Sequence, residues 1–301
     1  MSLAERTRAA TFKWLNQNKD LRMKNILIPT DFSDNAWNAI KYGMELYHKT
    51  GCTFYIVHIN PISYNSGGEA AMYVSPEILE ETLLKESKEK LEELLKKIQR
   101  LPLNTKHTFN TLALYGFFTD HIKQVVKDKN IDLIIMGTKG ATGLKAVSLG
   151  SNTGNVLTKV RCAVLAVPED AEYNTPREIG FPTDFQLSYD IKALNHIKEL
   201  ALMHNSALRF LYVSQKGKDL SDLQMKNKEF IKNYFKENEH SFHTLTIKNL
   251  DDAVQAFVES RDLDMLVMVA KNLNFLERIL FKPAVEKISY HTTVPFLIVH
   301  E

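Results

Sequence analysis

Short apolar runs alternate with longer amphipathic segments along most of the chain. In the first half, strand-length runs occur at 25–29, 53–59, 106–113, 131–136 and 163–167. Apart from 106–113, these runs are mostly apolar without regular polar alternation, which is typical of strands buried on both faces. Strands that alternate with helical patterns predict a parallel sheet with helices on both faces, the doubly wound α/β class. Ser33 is the predicted cap of the first helix, and Gly51 is its predicted left-handed stop.

The same pattern occurs twice. NILIPTDFSDNA at 25–36 reappears as EIGFPTDFQLSY at 178–189, each indicating a buried strand, a turn and then a helix. Similarly, IDLIIMGTK at 131–139 resembles LDMLVMVAK at 263–271. A tandem repeat of this length predicts two α/β domains. The expected boundaries are an extension at 1–22, a first domain at 23–168, a linker at 169–177 and a second domain at 178–301.

Composition restricts the function classes. The 301 residues are 44% hydrophobic and 25% charged, with a formal net charge of +2, so no nucleic acid partner is expected. No apolar run reaches the roughly 20 residues of a membrane span, and the N-terminus lacks the apolar core of a secretory signal. Cys52 and Cys162 are too few for a disulfide framework. We therefore expect a cytoplasmic protein with no membrane partner.

Two strand ends in the first copy have residue types that suit a nucleotide. One strand runs into Pro29-Thr30-Asp31, and another runs into Met136-Gly137-Thr138-Lys139-Gly140. Ligands of open parallel sheets bind beyond the carboxyl ends of strands, where the strand order reverses. A helix that opens at Gly150-Ser151 would direct its N–H groups at phosphates, and Ser151 and Thr153 would add hydroxyl donors. Asp31 would either contact a ligand or metal ion, or cap its helix.

The spacing of Gly137, Gly140, Gly150 and Ser151 resembles the signature G-x2-G-x9-G-S/T of the universal stress protein family. The Pro-Thr-Asp-Phe-Ser segment at 29–33 also resembles that family. The resemblance implies two five-stranded parallel sheets of order 3-2-1-4-5. It further implies ATP in the first domain, with Mg²⁺ or Mn²⁺ bridging the phosphates. The implied contacts are Pro29, Thr30 and Asp31 with adenine and ribose, Ile59 with the base, Met136 and Gly137 with the ribose, and Gly140, Gly150, Ser151, Asn152 and Thr153 with the phosphates.

The second copy departs from this signature. Asp184 matches Asp31, but Val269 stands at the position of Gly137, and Lys282 stands at that of Gly150. A valine side chain would obstruct a close backbone approach to a ligand. We therefore expect no ATP in the second domain, and Lys282 in part of the former phosphate position.

Two functions from different classes follow. The first is a nucleotide-responsive regulator in the stress response, and the alternative is a non-catalytic interaction scaffold whose nucleotide is structural or absent. No nucleophile–base pair or metal cluster stands out, so no catalytic residue is assigned, and slow ATP hydrolysis stays open. The family resemblance implies pairing of the two domains through their last strands, 162–168 and 294–300, and leaves a homodimer open. The loop at 61–75 is either a lid over the crevice or a disordered insertion.

Overall fold

The computed structural model describes eight segments of the chain. These are residues 23–62, 75–102, 104–138, 150–186, 189–214, 219–247, 249–270 and 294–300. The described residues form two compact units, one before and one after residue 170. The extension at 1–22, most of the loop at 61–75, Gly140 and Lys282 lie outside the described residues.

The first unit is a parallel sheet whose strands alternate with helices. Its strand order is β3-β2-β1-β4-β5, which confirms the order 3-2-1-4-5 that the resemblance implied. The elements are β1 (Lys24–Pro29), α1 (Asp34–Leu46), β2 (Cys52–Asn60), α2 (Pro76–Gln99), β3 (His107–Tyr115), α3 (Phe118–Asp128), β4 (Leu133–Gly137), α4 (Ser151–Lys159) and β5 (Ala163–Val167).

The second unit repeats this arrangement, with strands in the order β8-β7-β6-β9-β10 and parallel pairing throughout. The tandem doubly wound α/β fold is therefore confirmed. The elements are β6 (Glu178–Pro182), α5 (Ile191–His204), β7 (Ala207–Ser214), α6 (Asp222–Tyr234), β8 (His240–Thr246), α7 (Leu250–Arg261), β9 (Met265–Val269) and β10 (Phe296–Val299).

Helix ends follow local sequence signals in most places. Ser33 caps α1 by accepting a hydrogen bond from the backbone N–H of Ala36 at 3.2 Å, as predicted. Ser75 caps α2, which opens at Pro76. The prediction for Gly51 is wrong, because α1 ends at Leu46 and Gly51 does not have a left-handed backbone. No helix in the described segments is long and apolar enough to cross a membrane.

Candidate functional site

The carboxyl ends of β1 and β4 separate from each other in the first unit. Their register runs through Ile26↔Leu133 and Leu27↔Ile134, yet β1 continues to Pro29 and β4 to Gly137. On their other sides both strands stay paired to these last residues, β1 with β2 and β4 with β5. The resulting gap lies where the strand order reverses, which is the usual ligand position in such a sheet. We refer to it as the β1/β4 gap.

One edge of the β1/β4 gap is the turn that follows β1. The backbone N–H of Thr30 donates to the Val57 carbonyl at 2.8 Å, and Thr30 Oγ1 accepts from the N–H of Phe32 at 3.0 Å. Phe32 has a left-handed backbone with φ of 65°, which is uncommon for a bulky residue. Such conformations persist only where the surroundings enforce them, and they occur often at functional sites.

Asp31 supports this turn and does not cap the helix itself. Asp31 Oδ1 accepts from the backbone N–H of Ser33 at 3.1 Å and from Ser33 Oγ at 2.5 Å, while Ser33 provides the cap of α1. The capping alternative for Asp31 is therefore wrong. Its carboxylate is held in a fixed orientation at the end of β1.

His58 on the neighbouring strand stabilises the turn through a hydrogen bond, a role that was not predicted from the residue pattern. His58 Nδ1 lies 2.8 Å from the Thr30 carbonyl oxygen. A carbonyl only accepts, so Nδ1 must carry the hydrogen and donate it. The His58 ring also packs on Phe32 with centroids 4.6 Å apart. Ile59, the predicted base contact, follows His58 and is buried.

The other edge of the β1/β4 gap joins the end of β4 to the start of α4. The Gly150 N–H donates to the Thr138 carbonyl at 2.7 Å, and Thr153 Oγ1 donates to the Gly137 carbonyl at 2.8 Å. These bonds hold the N-terminus of α4 against the end of β4. The N-cap residue Gly150 has no side chain, and no side chain in the described segments caps this helix. The first N–H groups of α4 therefore lack a side-chain acceptor there.

The predicted phosphate contacts differ in their surroundings. Ser151 and Asn152 are exposed in the first turn of α4. Thr153 is buried and its hydroxyl donates to the Gly137 carbonyl, so its contact with phosphate stays a prediction. Met136 is buried at the end of β4. Gly140 lies outside the described segments.

Comparison of the sequence with protein-family profiles identifies the family of this chain. The profile of the universal stress protein family matches residues 23–168 and again residues 176–300. The chain belongs to the universal stress protein family. The resemblance found in the glycine spacing and in the Pro-Thr-Asp-Phe-Ser segment is thereby confirmed.

Individual relatives agree with this assignment. Universal stress protein MJ0531 of Methanocaldococcus jannaschii is 32% identical over 151 residues, covering 50% of this chain and 85% of the relative. Universal stress protein Slr1230 of Synechocystis is 23% identical over 295 residues, covering 91% of this chain and 99% of the relative. A crystal structure of a universal stress protein from Archaeoglobus fulgidus aligns with a TM-score of 0.63 and 18% identity, over 93% of this chain and 99% of that one. The last similarity shows the fold alone.

The second unit of this universal stress protein contains the same turn. Thr183 Oγ1 accepts from the N–H of Phe185 at 3.1 Å, and Asp184 Oδ1 accepts from the N–H of Gln186 at 3.0 Å. Phe185 is also left-handed, with φ of 54°. The cap of α5 is Asp190, so Asp184 does not cap its helix either.

Side chains of the second unit occupy the surroundings of this turn. The hydroxyl of Tyr189 hydrogen-bonds Thr183 Oγ1, and burial raises the pKa of Tyr189 well above its usual value. From α6, Gln224 Nε2 donates to the Asp184 carbonyl and Asn227 Nδ2 donates to the Phe185 carbonyl, each at 2.8 Å. The second copy therefore satisfies its turn with its own side chains.

A serine–histidine contact in the second unit does not form a catalytic pair. Ser241 Oγ lies 2.7 Å from His243 Nε2, and Arg261 Nη2 lies 3.2 Å from His243 Nδ1. Arginine only donates, so Nδ1 is the acceptor, and Nε2 of the neutral ring carries the hydrogen. Nε2 then donates to Ser241, which also accepts from Arg209 at 3.2 Å. His243 therefore cannot remove the Ser241 proton.

His243 should make stability depend on pH. Burial, followed by the positive charges of Arg261 and Arg209, lowers its pKa below the usual 6.5, against a smaller opposite effect of Glu178. As the pH falls below about 6.5, His243 binds a proton in the unfolded chain more readily than in the folded protein. The free energy of unfolding therefore decreases. We expect urea unfolding to show a smaller loss of stability between about pH 7.5 and pH 5.5 for His243→Gln than for the wild type. Equal losses would contradict this assignment.

The two cysteines offer no reactive thiol. Burial raises the pKa of Cys52 to about 11 and that of Cys162 to about 12. Thiolates are the reactive form, so both side chains act as core residues.

Proposed function

We propose that this universal stress protein binds ATP at the β1/β4 gap of its first domain and acts as a cytoplasmic, nucleotide-responsive regulator in the stress response. The domain boundaries in this proposal are 23–168 and 178–301, joined by the linker 169–177. The proposed contacts are Pro29, Thr30, Asp31, Ile59, Met136, Gly137, Gly140, Gly150, Ser151, Asn152 and Thr153.

The observation that carries the proposal is the start of α4. Its N-terminus has no side-chain cap within the described segments, and two hydrogen bonds hold it against Gly137 and Thr138 at the end of β4. The first N–H groups of a helix and the positive end of its dipole favour phosphate oxygens. A phosphate group at this position would satisfy donors that the described side chains leave without an acceptor.

The turn after β1 supports the nucleoside end of the same ligand. The Thr30–Asp31 segment lies across the gap from Gly137 and is fixed by His58 and Ser33. A ligand that spans both edges would place its phosphates at α4 and its base and ribose near β1 and β2. The resemblance to the family signature likewise implies phosphates near the start of α4 and adenine and ribose near the end of β1.

We expect the metal ion to bind mainly through the phosphates of ATP. Within the described segments, no group of three or more His, Cys, Asp or Glu side chains is arranged to hold a metal ion. Mg²⁺ commonly binds proteins through substrate phosphates, with one or two carboxylates and several waters. Asp31 is the acidic side chain of the proposed site in a position to orient such a hydrated ion.

The proposal assigns no ATP to the second domain. Thr30 and Thr183 each accept from the backbone N–H two residues further on, and Thr183 also bonds the hydroxyl of Tyr189. Val269 replaces the glycine at the end of the strand. A turn satisfied by its own side chains offers a ligand fewer unpaired groups.

The turn of the second domain, whose polar groups bond its own side chains, favours a second candidate function: an interaction scaffold without a nucleotide-dependent state. If the protein is such a scaffold, the glycine signature of the first domain no longer binds a nucleotide. Nucleotide binding distinguishes the two functions directly.

We expect one ATP per chain. Denatured samples should release ATP on HPLC, and calorimetry of nucleotide-free protein with Mg-ATP should give one site. Gly140→Val should abolish binding, because a side chain would obstruct the close backbone approach to phosphates. The matched control is Gly51→Val between α1 and β2, where an added Cβ would lie 3.4 Å from Lys106 Cβ.

The outcomes separate the two functions. Gly51→Val should bind ATP as the wild type does. A folded wild type that releases no nucleotide and gives no heat would refute the ATP proposal and favour the scaffold. Two ATP molecules per chain would refute the assignment of the second domain.

A further inference from the structure

The side chain of Asn35 lies at the β1/β4 gap and has no place in the site as proposed so far. Asn35 is the second residue of α1, and only 4% of its surface is exposed. A Cβ built on Gly137 would lie 1.6 Å from Asn35 Oδ1 and 2.7 Å from its Cγ. The carboxamide therefore lies directly against the α-carbon of Gly137, at the end of β4.

Both polar atoms of this carboxamide are without a hydrogen bond among the described residues. Asn35 Oδ1 and Nδ2 are shielded from solvent and have no partner in those parts of the chain. A buried polar group without a partner destabilises the folded state. By contrast, the similarly buried Asn60 donates from Nδ2 to Ser87 Oγ at 2.8 Å and to the Leu114 carbonyl at 3.3 Å. An unpaired carboxamide beside a predicted ligand position requires an explanation.

We propose that Asn35 is a further contact of the nucleotide site, whose carboxamide hydrogen-bonds a ribose hydroxyl of the bound ATP. This inference rests on the proposed function. Gly137, against which Asn35 packs, is the residue assigned to the ribose. Because both carboxamide atoms are shielded, the side chain must turn about χ1 or χ2 toward the gap, and the χ2 torsion of asparagine is broad.

The two unpaired atoms of the Asn35 carboxamide together fit a hydroxyl group of the ligand. Nδ2 needs an acceptor and Oδ1 needs a donor. Phosphate oxygens only accept, so they would leave Oδ1 unsatisfied, whereas a ribose hydroxyl both accepts and donates. An adenine edge also offers a donor and an acceptor, but the proposed base contacts lie at β1 and β2, away from Gly137.

The internal repeat supports a linked role for Asn35 and Gly137. Ser188 stands at the position of Asn35 when the two Pro-Thr-Asp-Phe turns are aligned, and Val269 stands at that of Gly137 when the segments 131–139 and 263–271 are aligned. A valine next to an asparagine placed as Asn35 is would overlap its carboxamide. Both residues are therefore different in the copy for which we propose no nucleotide.

The test compares ATP with its two deoxy analogues. Calorimetry would measure Mg-ATP, Mg-2′-deoxy-ATP and Mg-3′-deoxy-ATP with wild type and with Asn35→Ala. We expect Asn35→Ala to weaken ATP roughly tenfold, and to leave the affinity for one deoxy analogue unchanged, because that analogue has already lost the contact. Asn35→Ala should not lower the melting temperature, since it removes an unpaired buried group.

Asn38→Ala is the matched control on the same helix. Asn38 Nδ2 donates to the carbonyls of Pro168 and Glu169, each at 3.3 Å, so its loss should affect stability and leave the ratio of ATP to deoxy-ATP affinity unchanged. Equal ATP affinity in Asn35→Ala and wild type would overturn the inference alone. Equal weakening of all three nucleotides would overturn the ribose contact. A wild type that binds no ATP would remove the proposed function and this inference together.

Discussion

Gly137→Ala should lower the free energy of unfolding by about 2–3 kcal/mol, the upper part of the range for overpacked cores. The added methyl group would lie 1.6 Å from Asn35 Oδ1 and 3.3 Å from the Asn35 backbone carbonyl carbon. The Asn35 side chain is buried, so relieving this overlap without a ligand would require it to leave its packed position against Gly137. Urea unfolding of wild type and variant measures the difference.

A double variant identifies the cause of this loss. In the Asn35→Ala background the methyl group gains room, so Gly137→Ala should cost less than about 1 kcal/mol there. Gly43→Ala is the matched control within α1: its Cβ would lie 2.8 Å from Ile135 Cδ1, the mobile end of a side chain. Alanine also favours a helix interior over glycine, so that control should stay close to wild type. Equal costs of Gly137→Ala in both backgrounds would contradict a clash with Asn35.

Much of the fold could be predicted because its signals are local. The strands are continuous apolar runs, such as Ile26, Leu27 and Ile28, all of which are fully buried. Ser33 and the Ser75-Pro76 pair mark helix starts through bonds within one turn of the chain. The tandem organisation followed from comparing the chain with itself.

The repeat predicted a helix after each Pro-Thr-Asp-Phe turn but not where the helix begins. The helix α1 begins at Asp34, two residues after Phe32, whereas α5 begins at Ile191, six residues after Phe185. Asp190 supplies a cap there by accepting from the N–H of Lys192 at 2.7 Å, and Tyr189 bonds back to Thr183. The start of α5 therefore depends on a cap at Asp190 that the repeated turn does not contain.

The side-chain contacts of the candidate site could not be predicted, because they join distant parts of the chain. The glycine at 137 was expected to serve a ligand, yet the structure shows Asn35 in the space that a Cβ would occupy. Thr153 was expected to donate to phosphate, and its hydroxyl donates to Gly137. Residue types indicated the region, whereas the direction of each polar group depends on packing across the sheet.

Phe210→Ala should give the largest loss of stability, about 3–5 kcal/mol, as is typical for a fully buried phenylalanine. Phe210 lies in the middle of β7 and is fully buried. Its ring is stacked on Phe242 at 4.9 Å, and lies 5.2 Å from Phe181 and 5.6 Å from Phe235. Its removal leaves a cavity lined by these three rings. The rings belong to different elements, so they cannot move together to fill the cavity.

Hydrogen exchange measured by mass spectrometry locates this effect within the second copy. Peptides from residues 178–262 should exchange faster in Phe210→Ala, since the free energy of opening those strands decreases. The matched control is Phe230→Ala on α6, a phenylalanine that is 40% exposed and whose removal should cost much less. Because the second copy lacks the glycines assigned to ATP, its stability in this proposal comes from such packing and not from a ligand. Equal protection of these peptides from hydrogen exchange in the two variants would show that the packing of Phe210 against its neighbouring rings does not stabilise this copy.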